Sequence, residues 1–233
     1  MTVGKNGIDK RKEGDKRTPI GLYFANGALP KSRLTDFYGS GAYPINYPNE
    51  WDKREGRGGH GIWLHGVPRD TYSRPPRASD GCVVLSNEDL ESLAKHLDQG
   101  QTPVIVTDRI DWVSVADLNV LRADIYKNVE AWRRDWESRN VDAYLRHYSR
   151  QFAAGKTGYD EFSEQKRRVG AGKEWIRVRL GEVSMFLYPG RHDLAVVNFK
   201  QYYSGNNLTN EMMKRQYWKK EGGGWRIVYE GAA

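Results

Sequence analysis

The stretch from residue 62 to residue 86 constrains the fold more than any other part of the chain. It begins with a short apolar run that ends in His65 and Gly66, and it places Gly81 and Cys82 immediately before a second apolar run. Short apolar runs next to glycine are typical of buried strands. If the two runs are neighbours in one sheet, their ends bring a histidine and the only cysteine of the chain within hydrogen-bond reach.

This residue pair is suited to nucleophilic chemistry. A free thiol titrates near ~8.5, and only the thiolate attacks acyl carbons well, so Cys82 needs a neighbouring cation or imidazole. The imidazole of His65, with an ordinary pKa of ~6.5, suits that task. Gly81 lets its backbone approach a substrate, and the amides of Gly81 and Cys82 are candidates for binding an oxyanion. The alternative is that Cys82 is a small buried hydrophobe and His65 a hydrogen-bonded core residue.

The combination of His65 and Gly66, a loop rich in arginine and proline, and Ser79-Asp-Gly-Cys before an apolar strand resembles the catalytic domain of L,D-transpeptidases. These bacterial cell-wall enzymes form the YkuD family. The resemblance implies that Cys82 is the acyl-accepting nucleophile and His65 the base. It also implies that the carbonyl of Gly66 orients the other ring nitrogen, and that Ser79 and Gly81 shape the nucleophile loop.

Two positions depart from the usual family loop, which reads Ser-His-Gly-Cys followed by a branched aliphatic residue and arginine. Here Asp80 replaces the second histidine and Val84 replaces the arginine. The base is the first histidine of the motif, so the implied chemistry survives, while the acceptor of the acyl group stays open. The variant loop is similar to the branch that contains cell-shape L,D-carboxypeptidases and the enzyme that detaches lipoprotein from the wall.

The resemblance implies a specific reaction on the stem peptides of peptidoglycan. Cys82 would attack the carbonyl of the third, diamino-acid residue, and the terminal D-alanine would leave with a proton from His65. An amine would then resolve the thioester by transpeptidation, and water by L,D-carboxypeptidation or by release of a wall-linked protein. No cofactor is needed. The alternative from another class is a non-catalytic glycan-binding or scaffold protein of the cell wall.

Several side chains are candidates for contacting this substrate. Tyr47, Trp51 and Trp63 would wall the groove, and Asp80 lies in the nucleophile loop. The loop between the two predicted strands adds three arginines, each able to hold a stem-peptide carboxylate: Arg69, Arg74 and Arg77. Arg77, nearest to the nucleophile in sequence, is the principal candidate. The alternatives are loop anchoring for the aromatic residues and solvation for the arginines.

A second histidine, His60, competes with His65 as the base. Its odd offset from His65 would place it on the opposite face of a strand, which favours His65. Two histidines can also indicate a metal, but no third ligand has the spacing that completes a zinc site. The sequence therefore predicts no metal centre.

The net charge of +7 is spread along the whole chain, because lysine and arginine alternate with aspartate and glutamate. Such interleaving does not favour a nucleic-acid partner, while a diffuse positive field favours approach to an anionic wall polymer. No apolar run approaches the ~18 residues that indicate a membrane span. The first residues lack the features of an export signal, and the resemblance implies that strands and such a signal normally precede this segment. We therefore expect N-terminal strands outside this chain, and a periplasmic or cell-envelope location.

The second half of the chain has a different architecture. Apolar spacing after residue 117 predicts two amphipathic helices broken near Asn140 and a third short helix around Phe162. Five strand-like runs follow, separated by turns: Trp175–Leu180, Val183–Tyr188, Leu194–Tyr203, Met212–Lys220 and Trp225–Tyr229. This order of elements resembles the cone-shaped NTF2-like fold. The prediction is a mixed β and α+β protein, with a mostly β catalytic domain over 1–112 and an α+β NTF2-like domain over 113–233.

Four residues of the second domain are candidates for lining the cone and contacting a sugar, because aromatic faces with amide groups suit glycans: Gln201, Tyr203, Gln216 and Trp218. The alternative is that these residues form the core. A homodimer through the open face of the sheet is a further option.

Overall fold

The chain divides into two units, Met1–Ile110 and Asp111–Ala233, in a computed structural model that describes residues 1–233. The first unit is built mainly from short strands, and the second from helices followed by a long-stranded sheet. The predicted mixture of β and α+β architecture is confirmed. No helix is both long enough and apolar enough to cross a bilayer.

The first unit contains seven strands and two α-helices. The strands are Val3–Gly4 (β1), Gly21–Phe24 (β2), Ala42–Pro44 (β3), Trp63–His65 (β4), Arg77–Ser79 (β5), Val83–Val84 (β6) and Pro103–Val106 (β7). The α-helices are Glu50–Arg54 (α1) and Asn87–Ala94 (α2), and two 3₁₀ turns cover Lys31–Arg33 and Asp36–Tyr38.

Three small sheets hold this unit together. The central sheet has the order β3-β4-β6, with β3 antiparallel and β6 parallel to β4. The strands β2 and β7 pair antiparallel, and β1 and β5 pair parallel. The buried side chains between them form one cluster: Tyr23, Ile45, Tyr47, Ile62, Leu64, Val83 and Leu90. The two apolar runs that the sequence places before His65 and after Cys82 are therefore neighbouring strands of one sheet.

Ser86 is a residue type that caps helices and Gly100 one that ends them, so the sequence predicts a helix between them; the observed α2 begins there and ends earlier. The side chain of Ser86 accepts a hydrogen bond from the amide of Asp89, and Leu90 is buried on the inner face. The helix stops at Ala94, and turns then lead to Gly100, which the sequence suggested as its end. The short helix α1 was not predicted. Its signal is the reciprocal capping pair of Asn49 and Asp52 at its start.

The second unit has three α-helices, one small hairpin and a four-stranded antiparallel sheet. Its helices are Val115–Glu137 (α3), Val141–Leu145 (α4) and Tyr159–Ala171 (α5), and the hairpin pairs Ala153–Ala154 (β8) with Thr157–Gly158 (β9). The sheet has the order β10-β11-β12-β13, formed by Ile176–Leu187, Leu194–Gly205, Leu208–Glu221 and Gly224–Ala232.

Two of the predicted strands are one strand in the structure. The runs 175–180 and 183–188 form a continuous β10, and the pairing with β11 shifts between Gly181 and Ser184. Glu182 has a left-handed backbone, with φ of 52°, at this irregularity. A bulge bends a strand and disturbs its alternation of side chains without ending it. The prediction of a turn between the runs 175–180 and 183–188 was therefore wrong.

The core of the second unit lies between the helices and one face of the sheet. Trp132 of α3 is fully buried and packs against Phe199 of β11, with ring centroids 5.7 Å apart. Trp218 and Trp225 from the sheet are buried in the same cluster. The break between α3 and α4 falls at Asn140, as predicted, and its side chain accepts a hydrogen bond from the amide of Ala143.

Replacing this cap tests the helix break. Asn140→Ala removes the acceptor for one of the free amides at the start of α4, so we expect a loss of about 1 kcal/mol in the free energy of unfolding. Urea unfolding followed by tryptophan fluorescence measures the loss. Asn128→Ala, on an exposed part of α3, is the matched control and should change stability by less than about 0.5 kcal/mol. Equal effects of the two substitutions would contradict the capping role.

Candidate active site

The strand register places Cys82 and His65 on one face of the central sheet. His65 ends β4 and pairs with Val84 of β6, while Cys82 comes two residues before Val84. Side chains two positions apart in an extended chain point to the same face, so we infer that the thiol lies on the side of the imidazole. In this structure the thiol donates to the Gly61 carbonyl and not to His65. The backbone amide of Trp63 also acts on the thiol and lowers its pKa. The thiol therefore lies beside the backbone of β4, next to the two residues of that strand that pair with β6.

The ring of His65 is held in a defined tautomer. Its Nδ1 lies 2.7 Å from the carbonyl oxygen of Gly66. A carbonyl can only accept, so Nδ1 carries the proton and Nε2 keeps a free lone pair. The side chain is 1% exposed, and burial lowers the pKa of His65, an effect that the Gly66 carbonyl opposes. The imidazole is therefore a neutral base at pH 7.

Gly66 is fixed by a side chain that the sequence did not indicate. The Oδ1 atom of Asn87 accepts hydrogen bonds from the amides of Ser40 and Val67, and its Nδ2 donates to the Val67 carbonyl. A Cβ atom at Gly66 would collide with the same Oδ1. Only glycine fits in this space, so close packing around position 66 holds the carbonyl that orients His65.

Two aromatic rings cover the imidazole. Phe37 and Tyr38, from the 3₁₀ turn Asp36–Tyr38, have ring centroids 5.7 Å and 5.2 Å from that of His65. Tyr38 also lies 5.1 Å from Trp63, and its carbonyl accepts a hydrogen bond from the Gly66 amide. Half of Phe37 is exposed. These rings form a wall beside the base. The sequence could not predict this wall, because residues 25 to 60 show little periodicity of apolar residues.

The nucleophile loop is rigid. Ser79 donates its hydroxyl proton to the Cys82 carbonyl at 2.6 Å, and Thr18 donates to the Gly81 carbonyl at 2.9 Å. Gly81 has a φ of 129°, and an added Cβ would lie 2.9 Å from the carbonyl oxygen of Arg17. A side chain at position 81 would therefore strain the backbone and clash with the neighbouring segment.

The expectation that the Gly81 amide binds an oxyanion was wrong for this conformation. That amide donates to the hydroxyl of Ser79 at 3.1 Å, so its hydrogen is already used within the loop. The Cys82 amide is the remaining member of the pair that the sequence suggested. Ser79 thus holds the loop from both sides, because it accepts from one residue and donates to another.

The thiol is protonated at rest. Burial raises the pKa of Cys82, and the charge of Asp80 raises it further, against the lowering effects of the Trp63 amide, Lys10 and Arg74. The Sγ atom lies 3.4 Å from the carbonyl oxygen of Gly61, to which it donates. The site therefore holds a neutral thiol and a neutral imidazole, a pair in which the base removes the proton during attack rather than before it.

The other predicted substrate contacts differ in placement. Tyr47 is 6% exposed and donates to the Gly58 carbonyl, so it belongs to the core and not to a groove wall. Trp51 is likewise buried. Asp80 is exposed and pairs with Lys5 at 2.9 Å, while Arg77 is exposed on β5.

His60 lies away from the reacting pair. Its side chain is 77% exposed and its Nδ1 is 3.4 Å from Glu13. Of the arginines in the loop before Cys82, Arg69 lies 3.7 Å from Asp36, and Arg74 places its guanidinium 4.4 Å from the centroid of the Phe37 ring. No group of three histidine, cysteine or acidic side chains is placed to hold a metal ion.

The second unit contains a cavity of about 230 Å³ between its helices and sheet. Of the four residues predicted to line the cone, Gln201 and Tyr203 do so. The prediction was wrong for Gln216 and Trp218. Both are fully buried in the core, where the Trp218 indole donates to Gln216. Residue type alone does not tell which aromatic and amide side chains the helices cover, and these two belong to the core that the sequence left as the alternative.

Lys166 and Lys214 both line this cavity, but only Lys214 has a carboxylate partner, the neighbouring Glu230. Although burial alone would raise the pKa of Glu230, Lys214 and Lys166 lower it to about 2, and Lys214 lies 2.6 Å from it. Lys166 has no carboxylate within ion-pair distance, and it faces the rings of Phe162, Tyr144 and Trp136. Burial lowers the pKa of Lys166.

An uncharged polar atom at the same cavity also lacks a partner. The Oε1 atom of the lining residue Gln201 is buried and accepts no hydrogen bond. Buried polar atoms are almost always paired, so this one indicates a ligand or solvent in the cavity.

Comparison with known proteins agrees with both units. The family model described as the L,D-transpeptidase catalytic domain (YkuD) matches residues 1–106, and the Cds6 C-terminal NTF2-like domain matches residues 124–231. The structure of Bd1075 from Bdellovibrio bacteriovorus is 32% identical, with a TM-score of 0.82, over 99% of this chain and 80% of that one. The chain belongs to the L,D-transpeptidase (YkuD) family. The predicted resemblance is therefore confirmed for both parts of the chain.

A second structural relative of this L,D-transpeptidase family member is Pgp2 from Campylobacter jejuni, a helical cell shape determining protein. It is 25% identical, with a TM-score of 0.78, over 99% of this chain and 80% of that chain. No curated protein sequence matches the chain. The family places the protein in the L,D-transpeptidase and peptidase class of peptidoglycan-modifying enzymes.

Titration of His65 tests the electrostatic description of the site. Because burial lowers its pKa, the His65 ring should stay neutral at pH 6.5 and titrate below that value. Between its folded and unfolded pKa values the unfolded chain binds more protons, so the contribution of His65 to stability is complete above ~6.5 and is lost as pH falls. Ring NMR signals, assigned with His65→Gln, measure the midpoint. A midpoint at or above 6.5 would show that the ring is not buried as described.

Proposed function

We propose that this protein is a cysteine enzyme that cleaves the L,D bond of peptidoglycan stem tetrapeptides through a thioester on Cys82. The observation that carries the proposal is the fixed tautomer of His65: Nδ1 donates to the Gly66 carbonyl, so Nε2 remains an acceptor. His65 ends the strand that pairs with the strand directly after Cys82. An acceptor nitrogen beside a neutral thiol is the arrangement that general-base activation requires.

The first half of the reaction uses this pair twice. His65 Nε2 takes the thiol proton as Sγ attacks the carbonyl carbon of the third stem residue, and the carbonyl oxygen becomes an oxyanion. Collapse of this tetrahedral species breaks the bond to the nitrogen of the terminal D-alanine, and the imidazolium returns the proton to that nitrogen. D-alanine leaves, and the tripeptide remains as a thioester on Cys82.

The second half determines the net activity. Attack on the thioester by an amine gives L,D-transpeptidation, and attack by water gives L,D-carboxypeptidation. If the group that left is a wall-linked protein instead of D-alanine, the same chemistry releases that protein. In each case His65 removes a proton from the attacking nucleophile. The Cys82 thiolate leaves and takes up that proton from His65. No cofactor takes part in this scheme.

The proposal places the enzyme in the periplasm or cell envelope, where its substrate lies. Its net charge of +7 favours approach to a polymer whose stem peptides carry free carboxylates. The likeness to a helical cell shape determining protein supports a role in shaping the wall.

A second proposal concerns the cavity of the C-terminal unit, which we assign to binding of the wall polymer. Two observations favour it: Lys166 is an ammonium group without a carboxylate partner, and the Oε1 atom of Gln201 lacks a hydrogen bond. Tyr203 lines the same cavity. An ammonium, a free acceptor and a ring suit an anionic glycopeptide, whose carboxylates, hydroxyl groups and sugar faces they complement.

Removal of either reacting group tests the catalytic proposal. Cys82→Ala and His65→Ala should each lower tetrapeptide conversion at least about 1,000-fold, because neither the thioester nor its base then exists. Mass spectrometry of muropeptides with and without an amine acceptor reads the products. Tripeptide alone indicates hydrolysis, and an amine-exchanged product indicates transfer. The matched control His60→Ala should keep full activity. Full activity in either active-site variant would refute the assignment, and binding of muropeptides without turnover by the unsubstituted protein would favour a scaffold.

Binding to purified sacculi tests the cavity. Lys166→Gln removes the ammonium and should weaken binding roughly 10-fold, while turnover of soluble tetrapeptide stays unchanged. The matched control is Lys156→Gln, which alters an exposed lysine in the turn between β8 and β9. If the two substitutions weaken binding equally, the effect is one of net charge and the cavity is not the binding site.

A further inference from the structure

One arginine near the reacting pair stacks on an aromatic ring and has no hydrogen-bond acceptor within the chain. Arg74 lies on the loop between β4 and β5, and its guanidinium stacks on the Phe37 ring at 4.4 Å. It is half-buried, and no carboxylate or carbonyl accepts from it. The Phe37 ring in turn lies 5.7 Å from that of His65. The stack therefore holds a cation one ring away from the base.

The charge of Arg74 is felt at both reacting groups. It lowers the pKa of His65, in the same direction as the larger effect of burial. It also lowers the pKa of Cys82, where the larger effect of burial is opposite. Lys10 also acts on Cys82, but its ammonium is bound by Asp15 at 2.8 Å and by the Lys12 carbonyl at 3.0 Å. Of these two cations, Arg74 alone has all its donors free.

The geometry of the stack leaves those donors available. A ring that covers the face of a guanidinium does not use its N–H groups, which lie in the plane and point outward. A planar cation fixed in this way is suited to a two-pronged hydrogen bond with a carboxylate. Arg77, the arginine favoured by sequence distance, is exposed on β5 and lacks such a stack.

We propose that Arg74 binds the free C-terminal carboxylate of the stem peptide, so that the enzyme acts on chain ends rather than within extended peptides. The inference rests on the proposed function. In the terminal residue the carboxylate carbon is three bonds from the scissile carbonyl carbon, a separation of roughly 4 Å. The stack on Phe37 holds the guanidinium one ring away from the imidazole, and this position is suited to a carboxylate so close to the reacting carbon.

The proposal makes Arg74 a determinant of specificity. A stem peptide with a C-terminal amide, or one extended by a further residue, lacks the anion at this distance and leaves the guanidinium unpaired. The terminal carboxylate of a free tetrapeptide satisfies it. The value of kcat/KM should therefore be higher for a peptide with a C-terminal acid than for one with a C-terminal amide. The chemistry on Cys82 stays the same for both peptides.

The test compares a tetrapeptide muropeptide with its C-terminal amide. The unsubstituted enzyme should prefer the acid by roughly 10- to 100-fold in kcat/KM. Arg74→Gln should lose this preference by slowing on the acid alone, and Arg74→Lys should keep part of it. Arg77→Gln is the matched control and should retain the full preference. Turnover without preference in the unsubstituted enzyme, or preference that survives Arg74→Gln, overturns the proposal.

A binding measurement separates this inference from the proposed function. Calorimetry of the acid and the amide with Cys82→Ala, and with Cys82→Ala combined with Arg74→Gln, reports recognition without chemistry. If the unsubstituted enzyme turns over neither peptide but Cys82→Ala binds the acid more tightly through Arg74, the catalytic proposal fails and carboxylate recognition stands. If binding of acid and amide is equal, recognition by Arg74 is overturned whether or not turnover occurs.

Discussion

The parallel pairing of β4 with β6 is the constraint on which the active site depends. With His65 opposite Val84, the alternation of side chains directs the thiol of Cys82 toward the face of the imidazole. A slip of one residue would send one of them to the opposite face, because side chains alternate along a strand. The register is secured by burial of Leu64 and Val83 in the core. The reactive geometry is thus a consequence of how an apolar sheet packs.

Burial sets the chemical state of this pair as well as its position. It raises the pKa of the thiol and lowers that of the imidazole, so the free enzyme holds both groups uncharged. A neutral thiol is a poor nucleophile, which limits side reactions before substrate binds. The hydrogen bond from His65 to Gly66 then matters most, since it directs the lone pair of Nε2 toward the reaction. Asn87, at the start of a neighbouring helix, fixes the backbone on both sides of Gly66 through hydrogen bonds to Ser40 and Val67.

Local sequence predicted the features that arise from local structure. Glycine beside cysteine, an apolar run after it and a histidine at a strand end were enough to place both strands, and Asn140 marked the helix break. Features that depend on packing between distant segments could not be read in this way. Neither Phe37 and Tyr38 beside His65 nor the stack of Arg74 has a periodic signal. Tyr47 was misplaced because loop residues and core residues share the same aromatic composition.

The most direct measurement of the central claim is the intact mass of the enzyme during turnover of a disaccharide tetrapeptide, quenched in acid. The account predicts an increase equal to the disaccharide tripeptide acyl group, located on Cys82 by peptide mapping and removed by hydroxylamine, as a thioester is. It also predicts that D-alanine appears in step with the adduct. Release of D-alanine with no adduct on Cys82, under conditions that trap thioesters, would contradict the account.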